Sequence, residues 1–320
     1  MTEAAVPAIP MLRCRACGGT AMSASHEASE MMFATGGSYV YQECGACGSL
    51  TLANPPDGAA HYPEKYYRHL ELRVSPSMRW YVKVLRIAYD RCVPIVSPLS
   101  GRWGMGLRGS SDARARVLDV GCGAGRMLER LRDLGMQDLT GVDPYGVSSS
   151  AAANGRTGSL RLIRGLVEDV DGTFDVIVLN HSLEHVEDPA AVLSAVKALL
   201  SANGRAVVRT PVIGYSWRRY GRFWVQLDAP RHLTIFSQRG LLECARRAGL
   251  RVERITYDST AFQFSGSEDY LRGSTPKAGG FADVALRLVR SIAGAWAVRA
   301  WLLNRRRDGD QAAFVLRGAA

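Results

Sequence analysis

The sequence predicts an α/β protein: a mostly parallel sheet with helices on both faces, preceded by a small cysteine-bearing module. Three observations carry that prediction. Short apolar runs alternate with helix-periodic segments along the second half of the chain, the pattern of strand–helix–strand units. The run Val117-Leu118-Asp119-Val120 leads into a turn with glycines at 121, 123 and 125, where the backbone can bend sharply and approach a ligand without a Cβ in the way. Two Cys-x-x-Cys pairs, Cys14/Cys17 and Cys44/Cys47, stand ahead of it, at a spacing that lets both sulfurs of a pair face one ion.

The cysteine pairs come first along the chain. Gly18 and Gly48 follow them and allow the backbone turn beneath an ion. Four thiolates close a tetrahedron, so Cys14, Cys17, Cys44 and Cys47 are expected to hold a structural Zn2+ with no position open to water. Phe33, Tyr39, Val40 and Tyr41 lie between the pairs and supply the short strands of a zinc ribbon over residues 11–53, a module too small to fold without a staple. His26 is read as a surface histidine, and Cys92, Cys122 and Cys244 as packing residues. Residues 54–112 are expected to be a linker and helical segment. Pro55, Pro56, Asp57-Gly58, Pro63 and Pro76 open it, and Met78, Val82, Leu85 and Tyr89 share one side of a helix over 77–92. Tyr62, Tyr66 and Tyr67 either cap a site or pack on the main domain.

The main domain is expected over 113–320. Strands are predicted at Val117–Val120, Leu139–Val142, Leu160–Ile163, Phe174–Leu179, Arg205–Arg209 and Arg251–Tyr257. Helices are predicted at Arg126–Leu134, Ala190–Leu200 and Gln238–Ala248. Ligands in such a sheet sit at the carboxyl ends of the strands. The glycine turn, Asp143, Asn180–Val186 and Asp228–His232 all fall at such ends. A carboxylate placed like Asp143 grips ribose hydroxyls, because it accepts two protons at once. The turn departs from the dinucleotide fingerprint G-x-G-x-x-G, and no G-x-x-x-x-G-K-[ST] phosphate loop is present. A helical insertion at about 277–307, ending in Arg305-Arg306-Arg307, either lies on an anionic membrane surface, covers the sheet or makes a dimer.

The net charge of +10, from 40 basic and 30 acidic residues in 320, favours acidic partners without choosing among them. No secretory signal or membrane-spanning apolar run is visible. The expectation is a cytoplasmic protein, whose cysteines are metal ligands or free thiols.

Val117–Gly125, with Asp143 downstream and Phe174–Leu179 as a later strand, resembles a class I S-adenosylmethionine-dependent methyltransferase, whose D-V-G-C-G-x-G pattern is among its more specific motifs. The likeness covers roughly 113–265 plus a final strand near Gln311–Arg317. It implies a Rossmann-like, mostly parallel seven-stranded sheet and S-adenosyl-L-methionine as cofactor. It also implies that Asp119, Gly121, Cys122, Gly123 and Gly125 line the methionine end, that Asp143 holds the ribose, and that Asn180 and His185 lie beside the methyl donor. Relatives often carry an adenine-contacting acid just after the third-strand glycine; here Gly165 is followed by Leu166.

Asp228-Ala229-Pro230-Arg231-His232 resembles the D-x-P-R-H-x-x-x-F segment of bacterial methyltransferases that modify sugars or small metabolites. By that likeness His232 is the base, with a pKa near the working range, Asp228 orients it and Arg231 holds an acidic substrate group. His181 and His185 are rival bases, Glu184 contacts the cofactor region or caps a helix, and Trp217, Phe223 and Trp224 form an acceptor wall or pack the core. The expected activity is methyl transfer to a hydroxyl or carbon of a small or lipid-linked, carbohydrate-like metabolite. Two rival readings stand beside it: an RNA-modifying enzyme gripping RNA through the zinc ribbon, and a non-catalytic cofactor-binding scaffold at a membrane. Asn180-His181-Ser182-Leu183 replaces the N-P-P-Y-like residues of base methylation, which counts against nucleic acid.

Overall fold

Runs of Val, Leu and Ile bounded by Gly, Asp and Asn set the strands of this protein. The computed structural model describes residues 12–56, 113–146, 156–157, 160–274 and 295–319. Nearly all of the expected linker and helical segment, with Tyr62, Tyr66, Tyr67, Cys92 and the 77–92 helix, lies outside the described residues.

The cysteine module forms an antiparallel meander of β1 (Met22–Ser29), β2 (Ser38–Cys44) and β3 (Leu50–Leu52). Phe33, expected in a strand, sits instead in the β1–β2 connection. There the Glu30 carboxylate accepts the backbone N–H groups of Met32, Phe33 and Thr35 and so organises a turn.

The central sheet begins with β4 (Arg116–Val120) and β5 (Asp138–Val142), followed by β6 (Arg156–Thr157), β7 (Leu160–Ile163), β8 (Phe174–Asn180) and β9 (Leu200–Pro211). β10 (Thr234–Ile235) leaves for the cysteine module, while β11 (Leu250–Tyr257) and β12 (Gln311–Gly318) complete the central sheet. Its spatial order is β11-β12-β9-β8-β4-β5-β7-β6. β9, β8, β4, β5 and β7 are mutually parallel, and β12 runs antiparallel between β9 and β11. The expected seven strands are joined by β6, which pairs antiparallel with the edge strand β7. β9 starts at Leu200 rather than 205, because Leu200 pairs with Phe174 as soon as the preceding helix ends.

The helices are α1 (Arg126–Asp133), α2 (Pro189–Ala198), α3 (Tyr215–Tyr220), α4 (Gln238–Arg247), α5 (Phe262–Leu271) and α6 (Trp296–Arg305). Asp188 caps α2 by accepting from the N–H groups of Ala190 and Ala191, with Pro189 at the first helical position. Ser237 caps α4 in the same way through Gly240. Strand periodicity divides the core. Val117, Val176 and Val178 face Leu128 and Leu131 of α1, whereas Leu118, Val120, Ile177 and Leu179 face α2 and α4.

β10 carries Thr234 opposite Thr51 and Ile235 opposite Leu50, so a strand of the larger unit is the fourth strand of the cysteine sheet. Cys14, Cys44 and Cys47 pack in the same apolar cluster as Leu241, Cys244 and Ala245 of α4. Of the expected helical insertion at about 277–307, the described part holds α6, where Val298, Trp301 and Leu302 are exposed. Among the described residues no helix is long and apolar enough to cross a membrane.

Candidate functional site

The parallel strands β4, β5, β8 and β9 bring their carboxyl ends to one side of the sheet. β4 ends in a turn whose glycines all take positive φ: 78° at Gly121, 53° at Gly123 and 79° at Gly125. A Cβ at Gly121 would overlap the side chain of Ser182, so this turn and the segment after β8 touch. The Ser182 hydroxyl is buried and has no hydrogen-bond partner among the described residues. Asp119, on β4 just before the turn, is buried, and that burial together with the nearby Asp143 charge pushes its carboxyl up to about 7. An acid held this high and an orphaned hydroxyl at the mouth of a glycine cradle suit a ligand bearing an ammonium and a carboxylate. The methionine end of S-adenosylmethionine carries both, so these residues fit that cofactor.

Asp143 stands at the tip of β5, as expected, but its carboxylate is already engaged. Oδ2 accepts from the Gly123 N–H at 2.9 Å, and Oδ1 accepts from the N–H groups of Tyr145, at 2.8 Å, and Gly146. Three backbone donors thus fill most of its acceptor positions. Leu166 lies exposed beyond β7, and its N–H donates to Asp169 at 2.8 Å. Cys122 packs against Gly141, and burial raises its thiol well above the ordinary range, consistent with a packing role in the turn.

After β8 the chain turns at His181, whose φ is 53°, a strained value for a non-glycine residue and of the kind that clusters at functional sites. Asn180 is exposed and accepts from Arg209. Arg209 also donates to His181 Nε2 at 2.8 Å, and since guanidinium can only donate, His181 Nε2 is the acceptor. Nδ1 of His181 therefore carries the hydrogen that meets Glu184 Oε1 at 3.2 Å. Both ring nitrogens are thus engaged, which removes His181 as a ready base in this arrangement. Behind it, Arg209 pairs with buried Asp258 at 2.6 Å, and Gln311 donates to the other Asp258 oxygen.

Glu184 is fully buried. Burial would raise its pKa, but the hydrogen bond from His181 and the neighbouring imidazoles of His181, His185 and His232 outweigh it and hold the carboxylate at about 2. Thr210 donates to its Oε2 at 3.0 Å. His232 is also buried; burial first, and then the neighbouring His185, depress it to about 4, so it is neutral near pH 7. Its Nδ1 donates to the Gln226 carbonyl at 2.8 Å, and its Nε2 lies 4.0 Å from Glu184 Oε1. His185 donates from Nδ1 to the Arg231 carbonyl and meets the His232 ring edge-on at 4.8 Å between centroids.

Two roles expected from the sequence are corrected here. Asp228 does not orient His232; the Gln226 carbonyl does. Arg231 is not directed at a substrate: its guanidinium is 2% exposed and pairs with Asp228 and, at 2.7 Å, with Glu30 of the cysteine module. Against the cost of burial, the two carboxylates raise Arg231, Arg231 lowers Asp228, and the Thr35 N–H followed by Arg231 lowers Glu30. Trp224 is core, donating Nε1–H to Asp310, and Trp217 packs on it and on His26. The sequence reading passed over Arg209, Thr210 and Asp258. Polar residues at the carboxyl ends of β9 and β11 were the available signal.

The four cysteines form a separate cluster. Their sulfurs lie within 4.8 Å of one another, with Cys14–Cys47 at 3.6 Å and Cys17–Cys44 at 3.5 Å. A disulfide needs about 2.05 Å, whereas sulfurs bound to one zinc at about 2.3 Å stand roughly 3.8 Å apart. Gly18 and Gly48 donate to the Cys14 and Cys44 carbonyls with φ of 79° and 74°, giving two matching knuckles. This donor set fits a structural zinc ion.

The family model described as "Methyltransferase domain" matches residues 91–255. The ubiquinone biosynthesis O-methyltransferase of Xanthomonas oryzae pv. oryzae (strain PXO99A) is 35% identical over 108 residues, which are 31% of this chain and 44% of that protein. Its namesake in Bordetella avium (strain 197N) is 34% identical over 116 residues, 34% of this chain and 47% of that protein. The chain thus spans less than half the length of these curated relatives. Among solved structures, a complex of mycolic acid cyclopropane synthase CmaA1 with SAH and CTAB aligns with a TM-score of 0.44 at 18% identity, covering 80% of this chain and 95% of that one.

Proposed function

The chain belongs to the methyltransferase-domain family, and from that membership we propose that it transfers a methyl group from S-adenosylmethionine to a hydroxyl of a small or lipid-linked acceptor. When bound, the cofactor supplies an electrophilic methyl group on a sulfonium. The residues that would hold it are Asp119 and the Gly121–Gly125 turn at the methionine end, Ser182 beside them, and Asp143 at the ribose.

One observation carries the choice of a hydroxyl. An ionised carboxylate, Glu184, and two imidazoles, His185 and His232, gather just beyond the point where Ser182 meets Gly121. A hydroxyl acceptor has a proton to lose, and His185, the half-buried member of this cluster, is the group we assign to accept it, with the Glu184 carboxylate beside it. The curated relatives are named O-methyltransferases, which agrees with oxygen as acceptor. A sugar-like acceptor rests on the likeness of the Asp228–His232 segment. Within that segment the Arg231 guanidinium pairs with Asp228 and with Glu30 of the cysteine module rather than with an acceptor. We propose further that Cys14, Cys17, Cys44 and Cys47 hold zinc in a ribbon that braces the acceptor side.

Methyl-labelled cofactor incubated with fractionated cell extract tests the activity directly. Label should pass to a small-molecule or lipid fraction as an alkali-stable ether. Label found only on RNA, or on no fraction, would defeat the reading.

A further inference from the structure

We propose that the outward face of α6, with the arginines around it, is a docking surface for an anionic phospholipid bilayer. α6 is apolar on two opposite sides. On the inner side Ala300 is buried, and Trp296 and Leu303 pack on the cluster that holds Trp224 and Phe264. Asn304 ties the helix down from the same side, accepting from the Ser259 N–H at 3.0 Å and donating to its carbonyl at 2.9 Å. Val298, Trp301, Leu302 and Arg305 stand at i, i+3, i+4 and i+7, so they share the other face. Val298 is 57% exposed, Trp301 46% and Leu302 40%. A helix apolar all round is ordinarily buried, yet among the described residues only the inner side of α6 is. Three of the nine large apolar side chains exposed among the described residues fall within five consecutive positions here, a clustering that marks an interaction surface.

Charge selects the occupant. Arg305, Arg306 and Arg307 are exposed at the carboxyl end of α6, and the Arg305 guanidinium lies 4.8 Å from the centroid of the Trp301 ring. α3 lies alongside: Arg299 donates to the Tyr215 hydroxyl at 3.1 Å, and Arg218 pairs with Asp308 at 2.6 Å. Asp308 is the only carboxylate in residues 215–223 and 295–308, and Arg218 neutralises it. An anionic bilayer takes both features at once. Val298, Trp301 and Leu302 enter the boundary between headgroups and acyl chains, while the arginine stems lie along it and their guanidinium groups meet lipid phosphates. A second copy of this chain fits worse, because a two-fold dimer sets a patch against itself and would press Arg305–Arg307 of both copies together. RNA offers phosphates but no apolar layer for Val298 and Leu302.

Docking does not depend on the reaction. Its use rests on the methyl-transfer reading, in which it narrows the acceptor to one carried by a lipid. The cluster beneath α6 also holds Leu227, Ala229 and Leu233, so the docked helix packs with the segment whose His232 meets His185 edge-on.

The test floats the full-length protein with vesicles on a density gradient. Vesicles of phosphatidylglycerol and phosphatidylcholine in equal parts should carry the protein upward, and pure phosphatidylcholine vesicles should not. Trp301→Ser combined with Leu302→Ser should weaken binding to the anionic vesicles at least about 10-fold. Arg305→Gln combined with Arg306→Gln should weaken it about 25-fold, from roughly 5-fold for each arginine. Leu242→Ser, at an exposed apolar side chain of α4, should leave it unchanged. An unaltered melting curve by circular dichroism shows that each variant is folded. Absence of flotation, or an equal loss with Leu242→Ser, overturns the proposal. Flotation that falls with salt and with the arginine pair but ignores Trp301 and Leu302 also overturns it, since any basic protein adsorbs in that way. So does a dimer in vesicle-free buffer that the Trp301 and Leu302 substitutions dissociate, because a second copy then covers the face. Methyl transfer is not read in this experiment, so its failure leaves the methyltransferase reading standing.

Discussion

Asp119 sits where burial and a neighbouring charge hold a carboxyl near pH 7. Its folded-state pKa is above the unfolded value of about 3.9. The stabilising extra proton is therefore fully present below about pH 4 and is lost as pH rises through 7. Asp119→Asn should flatten that slope and make the cofactor-free protein more stable at pH 8 by up to roughly 4 kcal/mol, while weakening S-adenosylmethionine binding. Urea unfolding at pH 5 and pH 8 checks this; an identical pH dependence in both proteins would refute it. Asp143→Ala should lower cofactor affinity at least about 100-fold by calorimetry, since charge-assisted hydrogen bonds contribute about 1.5–3 kcal/mol each. Unchanged affinity would remove Asp143 from the ribose site. The place of Asp143 at the tip of β5 was legible because a strand, a glycine turn and an acid at the next strand tip are local in sequence. Arg209, Thr210 and Asp258 were not, because their meeting with His181 and Glu184 requires strands distant along the chain to lie side by side.

The segment Asp228–His232 shows how an element can be found and its use misread. Its charged residues stand out in sequence, yet spacing alone does not say whether a guanidinium faces a ligand or a buried carboxylate. Glu30, which settles the matter, lies in the cysteine module. β10, directly after it, was invisible because two residues carry no periodicity. Tyr41 of β2 ties the same joint, donating its hydroxyl to the His232 carbonyl at 2.7 Å. Arg231→Met should destabilise the protein by about 3–5 kcal/mol, because it leaves two buried carboxylates, Glu30 and Asp228, without their cation. Cofactor affinity of the folded fraction should be unchanged. A loss of affinity with stability intact would instead return Arg231 to ligand binding.

At the scale of the molecule, the mostly parallel character of the central sheet followed from strand–helix alternation, and the cysteine cluster from its spacing. How the two units join did not. Because β3 and β10 share a sheet and the cysteines pack on α4, a chelator that strips zinc should lower the melting temperature of the whole protein in one calorimetric transition and weaken cofactor binding. Two transitions, with the later one unmoved, would show that the units are independent. β12 has a further consequence. It is the last of the central strands to be synthesised, yet it fills the slot between β9 and β11. Until residues 311–318 have been synthesised, the edge of β9 at Ala206–Val208 lacks its partner strand, and an unpaired apolar edge is a template for pairing with another chain.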